Sequence, residues 1–140
     1  MIVLDTNVLS KLMCEKPAPV VRRWMRRFDL HDLWTSAISQ AEVMVGIELL
    51  PAGSRKQGLD DAAGQLFDKL FAGRVLPFTG EAARHYAEIV GLRTRRGSGV
   101  ATLDVMIAAI AKANGGAVAT RNTSDFEDCG VVLHDPWRDG

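Results

Sequence analysis

The amino-acid sequence predicts a three-layer α/β/α sandwich with a mostly parallel central sheet, arranged as a single domain over residues 1–140. Short, wholly apolar runs typical of strands buried on both faces alternate along the chain with longer segments of helical periodicity. That alternation favours right-handed β–α–β units and therefore a parallel sheet. A chain of 140 residues also suits one domain that buries its own core.

The chain begins with a strand, a short helix, a connection broken by prolines and a second helix. The strand covers 2–4, the first helix covers 8–13, the prolines are Pro17 and Pro19, and the second helix carries apolar residues between 20 and 28. Thr6 or Asn7 is expected to cap the first helix. The second helix has a strongly basic outer face, formed by Arg22, Arg23, Arg26 and Arg27.

A second strand at 33–35 leads into a helix that Ser36 or Ser39 caps. We expect the inward face of this helix to consist of Ile38, Ala41, Val45 and Leu49. After a break, a further helix is predicted over 55–72, and Gly73 ends it. Its inward residues are expected to be Leu59, Ala63, Leu66, Phe67 and Leu70.

The second half of the chain supplies three more strands and two helices. The strands are expected at 75–78, 117–120 and 131–133. One helix runs from Thr79 or Gly80 to about Arg95, and the other is capped by Thr102 and ends at 115–116. Between the helices, a basic and flexible loop is expected to carry Arg93, Arg95 and Arg96.

Composition excludes some classes of function. The chain has 17 basic and 17 acidic residues and a formal net charge of +0, so no overall basic charge marks it as a nucleic-acid binder, although local patches matter more than the sum. Cys14 and Cys129 form no C-x-x-C pattern, which disfavours a zinc site or a redox motif. No run has the length of a membrane span and no signal-peptide pattern is present, so we expect a cytoplasmic protein without membrane contact.

Four acidic residues lie where predicted elements begin or end: Asp5, Glu42, Asp104 and Asp125. In an open parallel sheet such positions meet at the carboxyl edge of the strands. Each acid alone has an ordinary interpretation as a helix cap, a solvated helix residue, a partner of the helix dipole or a turn residue. Taken together, converging carboxylates repel one another, and a hard divalent cation relieves the repulsion. The set predicts a Mg²⁺ or Mn²⁺ site for phosphoryl chemistry.

The chain resembles the PIN-domain ribonucleases, in particular the VapC/FitB-like toxins of bacterial toxin–antitoxin pairs. Four segments carry the resemblance in order: MIVLDTNVLS, SAISQAEVMVGIELLP, TLDVMIAAIAKANG and VATRNTSDFEDCGVVLHDPW. The resemblance places all four acids at the family's metal-site positions, with supporting polar residues at Thr6, Asn7, Thr120 and Asn122. Because many PIN domains have an acid where this chain has Asn122, the fourth ligand is open between Asn122 and Asp125.

The resemblance implies metal-dependent, in-line hydrolysis of an RNA phosphodiester. Asp5 and Asp104 would hold the ion, Glu42 would bind a second ion or orient the attacking water, and Asp125 would complete the acidic ring. Positive charge for the RNA is expected from Arg93, Arg95, Arg96 and Arg121. The implied partners are a small antitoxin that inhibits the site and binds operator DNA, and a second copy of the chain. The apolar residues 47–50 and the segment 55–72 are candidate surfaces for these partners.

Three other functions compete with this interpretation. The first is a catalytically weak PIN module that serves as a scaffold and binds RNA or a partner. The second is a phosphohydrolase of the haloacid-dehalogenase type, and the third is a receiver-type signalling domain. The phosphohydrolase needs a second Asp where the chain has Asn7, and the receiver needs adjacent acids after the first strand. The sequence does not identify the RNA target.

Overall fold

The fold is described here from a computed structural model, which describes residues 1–16 and 18–140. Five short parallel strands form one sheet in the order β3–β2–β1–β4–β5. The strands are β1 (Ile2–Leu4), β2 (Leu33–Ser36), β3 (Val75–Leu76), β4 (Ala117–Ala119) and β5 (Leu133–His134). The predicted parallel sheet is confirmed, and its last strand lies slightly later in the chain than expected. Pro17, which was expected in the first connection, lies outside the described residues.

Six α-helices of the described residues flank the sheet. They are α1 (Thr6–Leu12), α2 (Pro19–Met25), α3 (Ala37–Glu48), α4 (Ser54–Gly64), α5 (Gly80–Arg95) and α6 (Thr102–Ala113). A π-helical segment, Gln65–Leu70, continues α4, and 3₁₀ turns cover Leu30–Asp32 and Thr123–Phe126. Among the described residues, none of these helices is both long and apolar enough to cross a membrane.

Strand β1 separates two apolar layers because successive side chains of a strand point to opposite faces. Ile2 and Leu4 pack into the layer that contains Val21 and Trp24 of α2. Val3 packs into the other layer, with the buried residues of α5 and α6. Helices therefore cover both faces of the sheet, which is the predicted three-layer arrangement.

Three expectations about helix starts are settled by the capping bonds. Asp5, rather than Thr6 or Asn7, caps α1: its Oδ1 accepts the Thr6 N–H at 2.7 Å. Ser36 caps α3 by accepting the Ser39 N–H at 3.1 Å. Thr102 does not cap α6 but is its first residue, and the preceding Ala101 supplies no side-chain bond.

The inward face predicted for α3 is wrong. The buried side chains of α3 are Ser39, Val43 and Ile47, whereas Val45 is 57 % exposed and Leu49 is 80 % exposed. Apolar residues occur on nearly every side of this helix, so their periodicity does not select a face. In the segment predicted as 55–72, Ala63, Leu66 and Phe67 are buried as expected, but Leu70 is 38 % exposed.

The basic loop after α5 is shorter than predicted. Helix α5 continues to Arg95, so Arg93 and Arg95 are helical and only Arg96 lies beyond its last turn. Arg93 is buried, whereas Arg95 and Arg96 are exposed. The three arginines therefore do not form one basic surface.

Candidate active site

The carboxyl ends of the two adjacent central strands form the floor of the candidate site. Asp5 follows β1 and Thr120 follows β4, and the Asp5 N–H donates to the Ala119 carbonyl at 2.9 Å. This backbone bond continues the ladder of the two strands by one residue. It fixes the Asp5 and Thr120 side chains next to each other at the start of α1.

Asp5 is almost completely buried, at 3 % exposure, and hydrogen bonds engage both of its carboxylate oxygens. Oδ1 accepts the Thr6 N–H, while Oδ2 accepts the Thr120 hydroxyl at 2.7 Å and the Asn7 amide at 3.2 Å. Burial raises the pKa of Asp5, and the bonds from Thr120 and Thr6 oppose the rise. Asp5 is therefore held in one orientation in an environment that disfavours its charge.

Thr120 organises the polar residues around Asp5. Its hydroxyl donates to Asp5 and accepts the Asn7 amide at 3.3 Å and the Asn122 N–H at 3.0 Å. The Asn7 side chain in turn accepts the Arg121 N–H through Oδ1 at 3.3 Å. The supporting residues predicted from the sequence thus contact Asp5 or Thr120, with Asn122 contributing its backbone.

Glu42 is joined to the same end of the sheet through Thr6. The Thr6 hydroxyl donates to Glu42 Oε1 at 2.8 Å, and the Thr6 N–H is bonded to Asp5. Thr6 therefore links a half-buried carboxylate of α3 to the buried carboxylate that caps α1.

Asp104 lies in the first turn of α6 and is half-buried. Burial is the largest cause that raises its pKa from 3.8 to about 7. The negative charges of three other acids raise the pKa of Asp104 further, namely Asp5, Asp125 and Glu42, and a side-chain hydrogen bond with Asp125 adds to this effect. The other three acids predicted from the sequence are thus close enough to Asp104 to raise its pKa.

The acids do not form a compact ligand set as they stand. Within residues 1–16 and 18–140, no three His, Cys, Asp or Glu side chains are grouped so that they could hold a metal ion.

Asp125 sits on a short turn that Arg93 anchors. The turn is Thr123–Phe126, and the Phe126 side chain is buried beneath it. The buried Arg93 guanidinium donates from Nη2 to the carbonyls of Asp125 at 2.7 Å and Glu127 at 2.9 Å, and to Cys129 Sγ at 3.2 Å. Arg93 was expected to contact RNA, but its donors are used inside the protein. It lies four residues after the buried Ile89, which is a spacing that could have indicated its inward position.

The other predicted arginines point to the surface. Arg96 pairs with Asp128 at 3.0 Å, with both side chains exposed, and Arg95 is exposed on the last turn of α5. The guanidinium of Arg121 lies 5.2 Å from the centroid of the Trp137 ring. A cleft of about 530 Å³ opens beside Asp125, between its turn and residues 98–101.

Comparison with known proteins agrees with this architecture. The PIN domain family matches residues 2–131. The chain belongs to the PIN domain family. Its relatives include Toxin FitB of Neisseria gonorrhoeae, which is 40% identical over 139 residues that cover 99% of this chain and 100% of FitB. The VapC ribonuclease Y4jK of Sinorhizobium fredii is 41% identical over 138 residues, 98% of each chain.

A solved structure shows the same fold. The structure of FitAB bound to an IR36 DNA fragment contains a chain that matches this one with a TM-score of 0.89 and 39% sequence identity. The match covers 98% of this chain and 96% of that one. The match extends over the whole sheet and its flanking helices. The predicted fold class is therefore confirmed, and the PIN domain described here is related along its length to toxins.

Proposed function

We propose that this PIN domain is a metal-dependent ribonuclease and the toxin of a toxin–antitoxin pair. The observation that carries the proposal is that Asp5, Asp125 and Glu42 all act on Asp104 at the carboxyl edge of the sheet. Ligands of open parallel sheets bind at this edge. Relatives of the same length that are named as a toxin and a ribonuclease support the choice of activity.

The donor set fits a hard divalent cation such as Mg²⁺ or Mn²⁺, because it consists of carboxylate oxygens. A three-residue cluster is not required, since Mg²⁺ keeps several waters and is commonly held by one or two carboxylates. We assign Asp5 and Asp104 as the residues that hold the ion. A bound ion of this kind polarises a phosphate oxygen and lowers the pKa of water.

The protein's own residues orient the reactants. Thr120 and Asn7 fix Asp5 through Oδ2, so this carboxylate is held in one orientation. The Thr6 hydroxyl aims Glu42, which orients the attacking water. Asp125, held from behind by Arg93, completes the acidic ring. Asn7 donates an amide to Asp5 and cannot serve as the second acid of a haloacid-dehalogenase-type phosphohydrolase.

Cleavage of total RNA in the presence of Mg²⁺ or Mn²⁺ tests the proposal. We expect the wild type to cleave, a chelator to abolish cleavage, and Asp5→Asn and Asp104→Asn to be inactive. Asp60→Asn, which changes an exposed acid of α4, is the matched control and should retain activity. Asp125→Asn should reduce activity less than Asp104→Asn does. A second measurement is independent of catalysis: Mg²⁺ should raise the melting temperature of the wild type and of Asp60→Asn, but not of Asp5→Asn. Equal cleavage by all variants would refute the proposal.

The proposed partners are a small antitoxin that also binds operator DNA, and a second copy of the chain. The solved structure of FitAB on a DNA fragment supports the first of these. Exposed apolar side chains on α3 and at its C-cap offer a surface for a partner, namely Met44, Val45 and Leu49. Mixing the protein with the product of the neighbouring small reading frame should suppress RNA cleavage. Light scattering measures the oligomeric state, and unchanged cleavage in the mixture would contradict the pairing.

A further inference from the structure

Helix α2 and its C-terminal end carry an exposed strip of arginines, which we call the α2 strip: Arg22, Arg23, Arg26 and Arg27. Within the described part of the chain, none of the four takes part in an ion pair with a carboxylate. The opposite side of α2 is anchored in the core by Val21 and Trp24, both completely buried. The strip is therefore a fixed concentration of positive charge on a protein with a formal net charge of +0.

The segment 135–140 joins the α2 strip to the candidate active site. At one end, Trp137 lies under the guanidinium of Arg121, whose N–H is bonded to Asn7 beside Asp5. Trp137 itself packs against the apolar layer that contains Val21 and Trp24 of α2. At the other end, Arg27 donates to the Asp139 carbonyl. The 135–140 segment, which itself carries Asp135, Asp139 and Arg138, thus connects Arg121 at the edge of the acidic site with Arg27 of the α2 strip.

We propose that the α2 strip binds the phosphate backbone of the RNA substrate as it leaves the active site past Arg121 and Trp137. This inference rests on the proposed ribonuclease function. A row of arginines without carboxylate partners among the described residues suits a polyanion, because a guanidinium can bind a phosphate through two parallel hydrogen bonds. The acidic residues themselves repel phosphate, so nucleotides beyond the one at the metal ion need positive charge from residues outside the site. The aromatic ring beside Arg121 favours a nucleic acid over an acidic peptide, since bases stack on aromatic side chains.

The test uses binding of a short single-stranded oligouridine to protein that carries Asp5→Asn, so that the RNA stays intact. The variant is Arg22→Gln/Arg26→Gln, which removes two charges one helical turn apart. The matched control is Arg55→Gln/Arg84→Gln, which removes two exposed arginines from α4 and α5. Each lost phosphate contact lowers the slope of log affinity against log salt by about 0.7, so the α2 variant should lose about 1.4. At roughly 0.15 M salt this corresponds to roughly tenfold weaker binding.

The control should bind with the slope and affinity of the parent protein. In otherwise wild-type protein, the α2 variant should cleave RNA with a raised KM. Equal losses in both double variants would show a non-specific charge effect and overturn the proposal. Unchanged RNA binding with weaker binding of the antitoxin would assign the strip to a protein partner and also overturn it. If the wild type neither binds nor cleaves RNA, the proposed ribonuclease function itself fails. If the parent protein binds RNA and the α2 variant binds it equally well, only the role of the α2 strip is overturned.

Discussion

The raised pKa of Asp104 gives a quantitative prediction about stability. In the substitution Asp104→Asn, a carboxylate that three other acids repel is replaced by a neutral side chain of the same shape. A pKa raised from 3.8 to about 7 corresponds to at most about 4 kcal/mol of unfavourable free energy when the carboxyl group is ionised. Asp104 is only half-buried and water screens part of this repulsion, so we expect about 1–2 kcal/mol.

The sign of the effect depends on pH. Below the unfolded-state pKa, Asp104 is protonated in both states and makes no difference to stability. As pH rises from about 4 to about 7, the unfolded chain releases this proton while the folded protein keeps it, so the free energy of unfolding of the wild type falls. Above pH of about 7 the whole penalty is present. The difference in the free energy of unfolding between Asp104→Asn and the wild type should therefore be absent near pH of about 4 and largest above pH of about 7.

Thermal unfolding followed by circular dichroism, in metal-free buffer with a chelator, measures this difference. At pH of about 8 the variant should melt roughly 3–8 °C above the wild type. Asp60→Asn, in which the replaced acid is exposed on α4, should show no such gain and serves as the control. A variant that melts below the wild type at alkaline pH, or a difference that does not change with pH, would refute the electrostatic account of the site.

Three further predictions concern the shell of the site. Thr120→Val should lower the free energy of unfolding at neutral pH by about 1–2 kcal/mol, because Asp5 loses its hydroxyl donor. Urea unfolding measures this change, and an unchanged midpoint would contradict the prediction. Arg93→Met should cost about 2–3 kcal/mol in the same assay, because two partly buried carbonyls lose a charged donor. Arg93→Lys should restore only part of the loss. A thiol reagent should label Cys14 in the native protein and Cys129 only on unfolding, because burial shields Cys129 and raises the pKa of its thiol. Rapid labelling of both cysteines in the native protein would contradict the buried position of Cys129.

The positions that local chemistry determines were predictable from the sequence. Segment 2–4 is a buried strand because it is short and wholly apolar, and Ser36 caps α3 because its hydroxyl reaches the N–H three residues ahead. The proximity of the acids followed from one topological rule, that parallel strands and the helices after them share an edge. The roles assigned to these acids stay a prediction until the variants are measured.

The errors arose where the sequence offered equivalent choices. Asp5, Thr6 and Asn7 are all good capping residues, and only the folded structure shows that Asp5 both caps α1 and faces the acidic site. Arg93 and Arg95 look alike in a basic run, but their positions differ by two residues on a helix, which turns one inward and the other outward. The spacing from buried Ile89 indicates which way Arg93 faces, but it does not reveal the carbonyls, distant in sequence, to which the buried guanidinium donates.

The hydrogen bond between Asp5 and Thr120 joins residues 115 positions apart. During synthesis on the ribosome, the first acid of the site emerges early but stays without its hydroxyl partner until the 115 residues that follow it have been made. A nascent or prematurely terminated product therefore lacks an assembled site, and a cell that makes this protein is not exposed to partial products with an organised acidic edge.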